Sequence, residues 1–257
     1  MMKKLLALLL VTMLAVLSAS CSLGGSVQKT SGSSAAEETA QNQVEKTKPE
    51  ESGPSYKISD IYFDHETSSL GSRYYTGIVE ITNTGDTNLY LESCTFDLED
   101  DKGHLLQTEN EYSVGSSPDI IAPGEKGYFY NMTTTLEDDV SLKNGINLKP
   151  DVEIEEARGE PTDYEISDVS LSKGTYGPKI TGRVKNTSDE KDSMLSVDVH
   201  YYDKNKRVIC IDNTSVSDLK PGKKKSFEIS GITLPEKIRK GKYSSYKVFA
   251  RAMYMQF

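Results

Sequence analysis

Tryptophan is absent from the 257-residue chain, and histidine and cysteine occur three times each. So few thiols argue against a disulfide framework. His65, His104 and His200 lie in separate segments, and none belongs to an H-E-x-x-H or other paired-ligand spacing. They read as surface histidines without a role. No G-x-S-x-G, phosphate-binding loop or G-x-G-x-x-G is present, so nothing points to a known nucleophile or nucleotide chemistry. The longest apolar run, Leu5 to Leu17, falls short of the ~20 residues that a spanning helix needs. A net charge of -9 argues against nucleic acid as a specific partner.

What is present is unevenly distributed. Residues 1–20 read as an export signal, with a basic start at Lys3 and Lys4, the apolar run, and a small-residue exit. The stretch Ser18-Ala19-Ser20-Cys21 resembles the lipobox of bacterial lipoproteins, with Ser18 in the place where Leu is commonest. The resemblance implies cleavage between Ser20 and Cys21, diacylglycerol on the Cys21 thiol, and an extracytoplasmic protein held on a membrane. Two long acyl chains, at ~0.8 kcal/mol per buried CH₂, anchor a protein stably. Residues 21–54 then supply the lipidated cysteine and a linker. It is made of Ser, Gly, Thr, Ala, Gln, Glu and Lys, too polar to bury a core. Its expected span is roughly 30 Å.

From Tyr56 onward the chain repeats itself. SYKISDI (55–61) returns as DYEISDV (163–169), and TGIVEITNT (76–84) as TGRVKNT (181–187). LEDDKGHLL (98–106) returns as HYYDKNKRVI (200–209), and APGEKGYF (122–129) as KPGKKKSF (220–227). EEAR (155–158) faintly matches VFAR (248–251). Matches in one order imply a duplicated unit. Tyrosine is abundant, at 15 residues, and MLSVDVHYY (194–202) places Leu195, Val197, Val199 and Tyr201 on one face. Period two with aromatic and β-branched residues predicts half-buried strands. DDKG, DKNK and the two Pro-Gly pairs predict turns between them. The expected fold is all-β: two tandem immunoglobulin-like β-sandwiches, residues 55–160 and 161–257, each of six to seven strands. Tyr201-Tyr202-Asp203 and the surrounding turns resemble the FxLYD-type modules of exported bacterial lipoproteins. In the first copy Leu98-Glu99-Asp100 departs from that pattern. The resemblance implies a fold and brings no ligand.

The copies differ in charge. Residues 55–160 hold 7 Lys and Arg against 22 Asp and Glu; residues 161–257 hold 18 against 12. Three readings stay open: docking of the copies through complementary faces, solvated surfaces, or a polyanion-binding second copy. The third would use Lys220, Lys223, Lys224 and Lys225 with Lys237, Arg239, Lys240 and Lys242. Asp97, Glu99 and Asp101 form a weak calcium candidate, because the loop lacks the glycine and bidentate glutamate of an EF-hand. Cys94 and Cys210 read as buried free thiols. No cofactor is expected. The functional expectation is a non-catalytic binding or scaffold lipoprotein of the cell envelope, with a wall polyanion or an envelope protein as partner. The competing class is an accessory or metal-handling (Ca or Cu) lipoprotein.

Overall fold

The structure is a computed structural model. It describes residues 54–253, apart from 132–133, 139, 142–144, 163, 190–191 and 232 and the side chains of 192 and 193. The segments read as signal, lipidated Cys21 and linker lie outside the described residues. The fold is all-β, and its strands pair antiparallel in four sheets.

The first half contributes β1 (Tyr56–Thr67), β2 (Arg73–Asn83), β3 (Leu89–Glu99), β4 (Leu105–Glu109), β5 (Val114–Ser117), β6 (Ile120–Ile121), β7 (Lys126–Asn131), β8 (Thr134–Thr135) and β9 (Asn147–Glu156). Sheet 1 is β4-β3-β6, with β9 also on β3; sheet 2 is β1-β2-β7-β5, with β8 on β2. The second half contributes β10 (Glu165–Lys173), β11 (Pro178–Lys185), β12 (Asp192–Tyr202), β13 (Val208–Leu219), β14 (Lys224–Ile229), the single-turn helix α1 (Glu236–Arg239) and β15 (Ser245–Ala252). Sheet 3 is β13-β12-β15 and sheet 4 is β10-β11-β14.

Each half buries its own core between two sheets. Val79, Ile81 and Phe129 of sheet 2 meet Leu91, Phe96, Leu98 and Leu148 of sheet 1. Ile180, Val184, Phe227 and Ile229 of sheet 4 meet Leu195, Val197, Val199 and Tyr201 of sheet 3. These are the period-two positions of the sequence. Burial of each such side chain stabilises the fold by about 1.5–3 kcal/mol.

The duplication is written in hydrogen bonds as well as in letters. Asn83 ends β2 and Asn186 follows β11. The Asn83 N–H donates to Glu125 and its C=O accepts from Gly124; the Asn186 N–H donates to Lys223 and its C=O accepts from Gly222. Each amide side chain crosses to the opposite sheet, Asn83 Nδ2 to the Ile121 carbonyl at 3.0 Å and Asn186 Nδ2 to the Leu219 carbonyl at 2.9 Å. Gly124 and Gly222 have φ of 79° and 66°, which glycine adopts without steric cost. At the hairpins, Asp100 Oδ1 accepts from the backbone of Lys102 and His104, and Asp203 Oδ1 from that of Asn205 and Arg207.

These anchors fix which residues correspond. The SYKISDI echo aligns as written, because Ile58 pairs with Ile81 and Ile166 with Val184. Two echoes shift. Asn83 matching Asn186 sets Thr76-Gly77 two residues out of register with Thr181-Gly182. The strand pairing also puts Arg251 at the counterpart of Glu153 instead of Arg158.

A third apolar cluster joins the halves. Ile78, Tyr128 and Tyr130, on the outer face of sheet 2, pack with Val208 and Ile211 of sheet 3, and Tyr62 and Tyr202 close over them. The four sheets therefore stack in the order 1, 2, 3, 4, with a seam between sheets 2 and 3.

Candidate functional site at the seam

The seam is assembled from alternate residues of strands whose other face is core. On β1, Asp60, Tyr62, Asp64 and Glu66 all turn toward the second half. Asp60 receives the Arg207 guanidinium through Nε at 2.5 Å and Nη2 at 2.8 Å, and Arg207 also donates to the Ile61 carbonyl. Asp64 receives Lys237 Nζ at 2.5 Å, and Lys237 donates to the Tyr62 hydroxyl. The Tyr62 ring lies between the two cations, 5.0 Å from the Arg207 guanidinium carbon and 4.7 Å from Lys237 Nζ. Glu66 accepts the Glu236 N–H, which fastens α1 to β1. Burial opposes the charge on Lys237, but its bonds to Asp64 and Tyr62 outweigh this and raise its pKa. At the far side Arg251 donates to the Ile120 carbonyl at 3.0 Å and lies 3.8 Å from Glu125. In these three ion pairs the acid comes from the first half and the base from the second. The charge split of the sequence is thus used, at least in part, for docking.

Inside the seam sits a polar trio. Ser117 Oγ donates to Asp198 Oδ2 at 2.7 Å and lies 2.9 Å from His200 Nε2; Ser196 Oγ donates to Asp198 Oδ1 at 2.5 Å. Ser117, Asp198 and His200 are 1%, 6% and 2% exposed. His200 is therefore not the surface residue expected from its place on the polar face of β12, because sheet 2 covers that face. Burial, reinforced by the Lys247 and Arg251 charges, holds the ring's pKa down to about 3; burial pushes Asp198 up to about 6. The trio does not form an activated nucleophile. Ser117 has one proton, and the ionised Asp198 accepts it, so Nε2 of the neutral ring must carry the hydrogen that faces Ser117. A base protonated on that side cannot accept the serine proton, and the carboxylate is not on Nδ1 to orient the ring.

A cleft of about 560 Å³ opens beside the trio. Both halves line it: Ser117, Lys126 and Tyr128 from one, His200, Tyr202, Lys247, Phe249 and Arg251 from the other. Tyr128 meets the His200 ring edge-on at 5.1 Å and Phe249 packs against it at 4.7 Å. Lys247 Nζ lies 4.4 Å from the Phe249 ring centre.

The lysine groups are not brought together. Lys220 and Lys223–Lys225 surround the β13–β14 turn, where β14 begins. Lys237, Arg239, Lys240 and Lys242 lie in the connection after β14. Arg239 there packs against Gly177, at the start of β11. The groups thus occupy opposite ends of sheet 4, about 17 Å apart at 3.3 Å per residue. Lys224 lies 3.5 Å from Glu165, Lys225 donates to the Ser217 carbonyl, and Lys240 pairs with Glu236 at 2.5 Å. Lys220, Lys223, Arg239 and Lys242 have no ion-pair partner among the described residues.

Asp97 accepts the Thr108 hydroxyl at 2.6 Å, Glu99 is half-buried, and Asp101 is exposed against Gly145. No cluster of three metal-capable side chains occurs among the described residues. Cys94 and Cys210 are buried free thiols, and burial pushes the Cys94 pKa up to about 12.

No family model and no curated protein matches this chain.

Proposed function

We propose that this chain is a non-catalytic binding lipoprotein of the bacterial cell envelope, carried outside the membrane on lipidated Cys21. In this reading residues 22–54 are its tether and two immunoglobulin-like modules are its working part. The observation that carries the binding role is the seam. Two duplicated halves spend aromatic rings, three ion pairs and a buried polar trio on holding one relative orientation. A chain that needed only a spacer would gain nothing from this, whereas a binding module gains a preorganised surface. The unactivated Ser117–His200 pair supports the non-catalytic part. The lipobox resemblance supports the anchor.

The test is growth of the source bacterium with an alkyne-tagged palmitate, followed by fractionation. The expected result is label on the wild-type chain in the membrane fraction, with label and membrane retention both lost in Cys21→Ala. An unlabelled chain shed to the medium would overturn the anchored reading.

A second reading, in which the β13–β14 turn binds an anionic wall polymer, rests on Lys220 and Lys223, exposed and without ion-pair partners among the described residues. Isolated envelope should retain the wild-type chain at low salt and release it at high salt. It should retain the Lys223→Glu, Lys224→Glu, Lys225→Glu variant poorly at either. Retention indifferent to salt and to the variant would sink this second reading.

A further inference from the structure

We infer that the free edge of β15 accepts an extended peptide of a partner protein, one that alternates apolar and acidic residues. The inference rests on the binding role proposed above and gives that role a partner class; it does not depend on the membrane anchor.

The first observation is the wall of the seam cleft. Lys247, Val248, Phe249, Ala250 and Arg251, consecutive residues of β15, all line it. Alternate side chains of a strand point to opposite faces, so a wall of consecutive residues is the edge of the strand and not one of its faces. β15 ends sheet 3 and pairs with β12 alone. In an antiparallel ladder the backbone groups point by turns to the partner strand and to the free edge. The Ala250 carbonyl is on the free side, because it accepts the Tyr164 N–H at 3.2 Å. Tyr246 and Val248 share that side, and among the described residues their backbone groups have no partner there.

The second observation is what the other edges carry. β1 and β10 each have a bulge, between Ile58 and Asp60 and between Ser167 and Ser170. In β9, the counterpart of β15, Pro150 stands where β15 has Val248: Pro150 pairs with Phe96, and Val248 with the equivalent Val199. Bulges and edge prolines hinder the addition of a further strand. β15 keeps its register against β12 throughout and has no proline. One copy of the duplicated strand is blocked and the other is not.

The third is the chemistry around the groove, which selects the occupant. An added antiparallel strand sets alternate side chains beside Tyr246, Val248 and Ala250, next to Tyr164 and Ile166 at the margin of the second core. Those positions favour apolar residues. The intervening side chains lie beside Lys247, Phe249 and Arg251. Lys247 is exposed and has no ion-pair partner among the described residues. Of the acids that line the groove, Glu125 lies 3.8 Å from Arg251, and Asp198 is buried under the Ser117 and Ser196 hydroxyls. The intervening positions therefore favour acidic residues.

The test is titration of the isotope-labelled full chain at low salt with the synthetic peptide Thr-Val-Glu-Val-Glu-Val-Thr, followed by amide NMR and hydrogen exchange. The peptide is expected to bind with a Kd below about 1 mM. It should slow exchange of the Val248 N–H, which in the free chain exchanges faster than the Lys247 and Phe249 N–H groups that point to β12. Lysine in place of both peptide glutamates should weaken binding about tenfold or more. Methylation of the valine nitrogens, which face β15 in this pairing, should do the same. So should Val248→Pro, a change that the fold accepts at the equivalent Pro150. If that variant fails to fold, the methylated peptide decides. The inference is overturned if the peptide binds no more tightly than about 1 mM, or if the lysine or the methylated peptide binds equally well. Protection of the Val248 N–H that rises with protein concentration in the absence of peptide would place a second copy on the edge and would also overturn it. None of these outcomes touches the acylation and fractionation that decide the anchored reading.

Discussion

The two copies use the same strand positions for opposite purposes, and the difference follows which face is covered. In the first half, sheet 2 docks; its counterpart in the second half is sheet 4, which faces outward. Ile78, Tyr128 and Tyr130 of the docked face correspond to Thr181, Ser226 and Glu228. In the second half, sheet 3 docks; its counterpart is the outward sheet 1. His200, Tyr202, Ile211 and Phe249 correspond there to Asp97, Glu99, Thr108 and Asp151. Core positions keep their character through the same comparison, with Leu98 matching Tyr201 and Phe129 matching Phe227. Copies of one fold therefore diverged mainly on their outer faces. One pair of faces became adhesive. The equivalent pair became charged, with Lys179–Glu228 and Lys185–Glu165 pairs at 2.7 and 2.9 Å on sheet 4.

Exchanging residues between covered and uncovered faces breaks the comparison most severely. Tyr130→Glu installs in the seam the residue that occupies the equivalent outer position. The expected loss is about 3–5 kcal/mol in urea unfolding, from the lost ring and a buried unpaired charge. Glu228→Tyr, the reverse exchange on the outer face, should change stability by no more than about 0.5 kcal/mol. Equal effects at the two sites would remove the distinction between the faces.

A smaller effect is expected at the seam's edge. Arg207→Ala should cost about 1–2 kcal/mol, because it removes a two-pronged, charge-assisted contact to Asp60. A double-mutant cycle with Asp60→Ala should recover a coupling of about 1 kcal/mol. Lys185→Ala, an ion pair of similar length on the outer face, should cost less than about 0.5 kcal/mol.

The pH profile sharpens the comparison further. His200 stays neutral in the fold down to about pH 3, whereas the unfolded chain protonates it near 6.5. The unfolded state thus binds more protons below that pH, and stability falls as the pH drops from there toward 3. Asp198 and Asp212, both pushed up to about 6 by burial, act in the other direction: their penalty is absent below the unfolded pKa near 4 and grows as the pH rises through 6. His200→Gln removes only the first effect. Its unfolding free energy from urea titration, relative to wild type, should therefore rise between pH 7 and pH 5, by up to roughly 1.4 kcal/mol per pH unit. Parallel profiles would contradict the burial of His200.

Much of the fold was legible in the sequence. Period-two runs marked β2, β3 and β12, and the DDKG, DKNK and Pro-Gly turns closed the strands where expected. The shared Asn-Thr after a strand marked the element that bonds identically in both copies. The seam was harder to read for a physical reason. Alternation reports which residues avoid water only if one face of a sheet is covered; where a second sandwich covers the other, His200 and Asp198 look like solvent-facing polar residues. A signal was present in the comparison of the copies, since Tyr202, Ile211 and Phe249 stand where the first copy has Glu99, Thr108 and Asp151. Opposite net charges suggested docking as one of three readings, but not that Asp60, Asp64 and Glu125 were the partners. Linear clustering grouped eight basic residues that the fold distributes over two ends of a sheet and, through Lys237, into the seam.

The central claim is that the seam holds the two halves as one rigid body. Residual dipolar couplings of backbone amides, measured in one aligned sample of the full chain, test it most directly. A single alignment tensor fitting both residues 56–156 and 165–252 is the expected result, with two distinct tensors appearing in Tyr130→Glu. Two distinct tensors in the wild-type chain would mean that the halves move independently and would contradict the account.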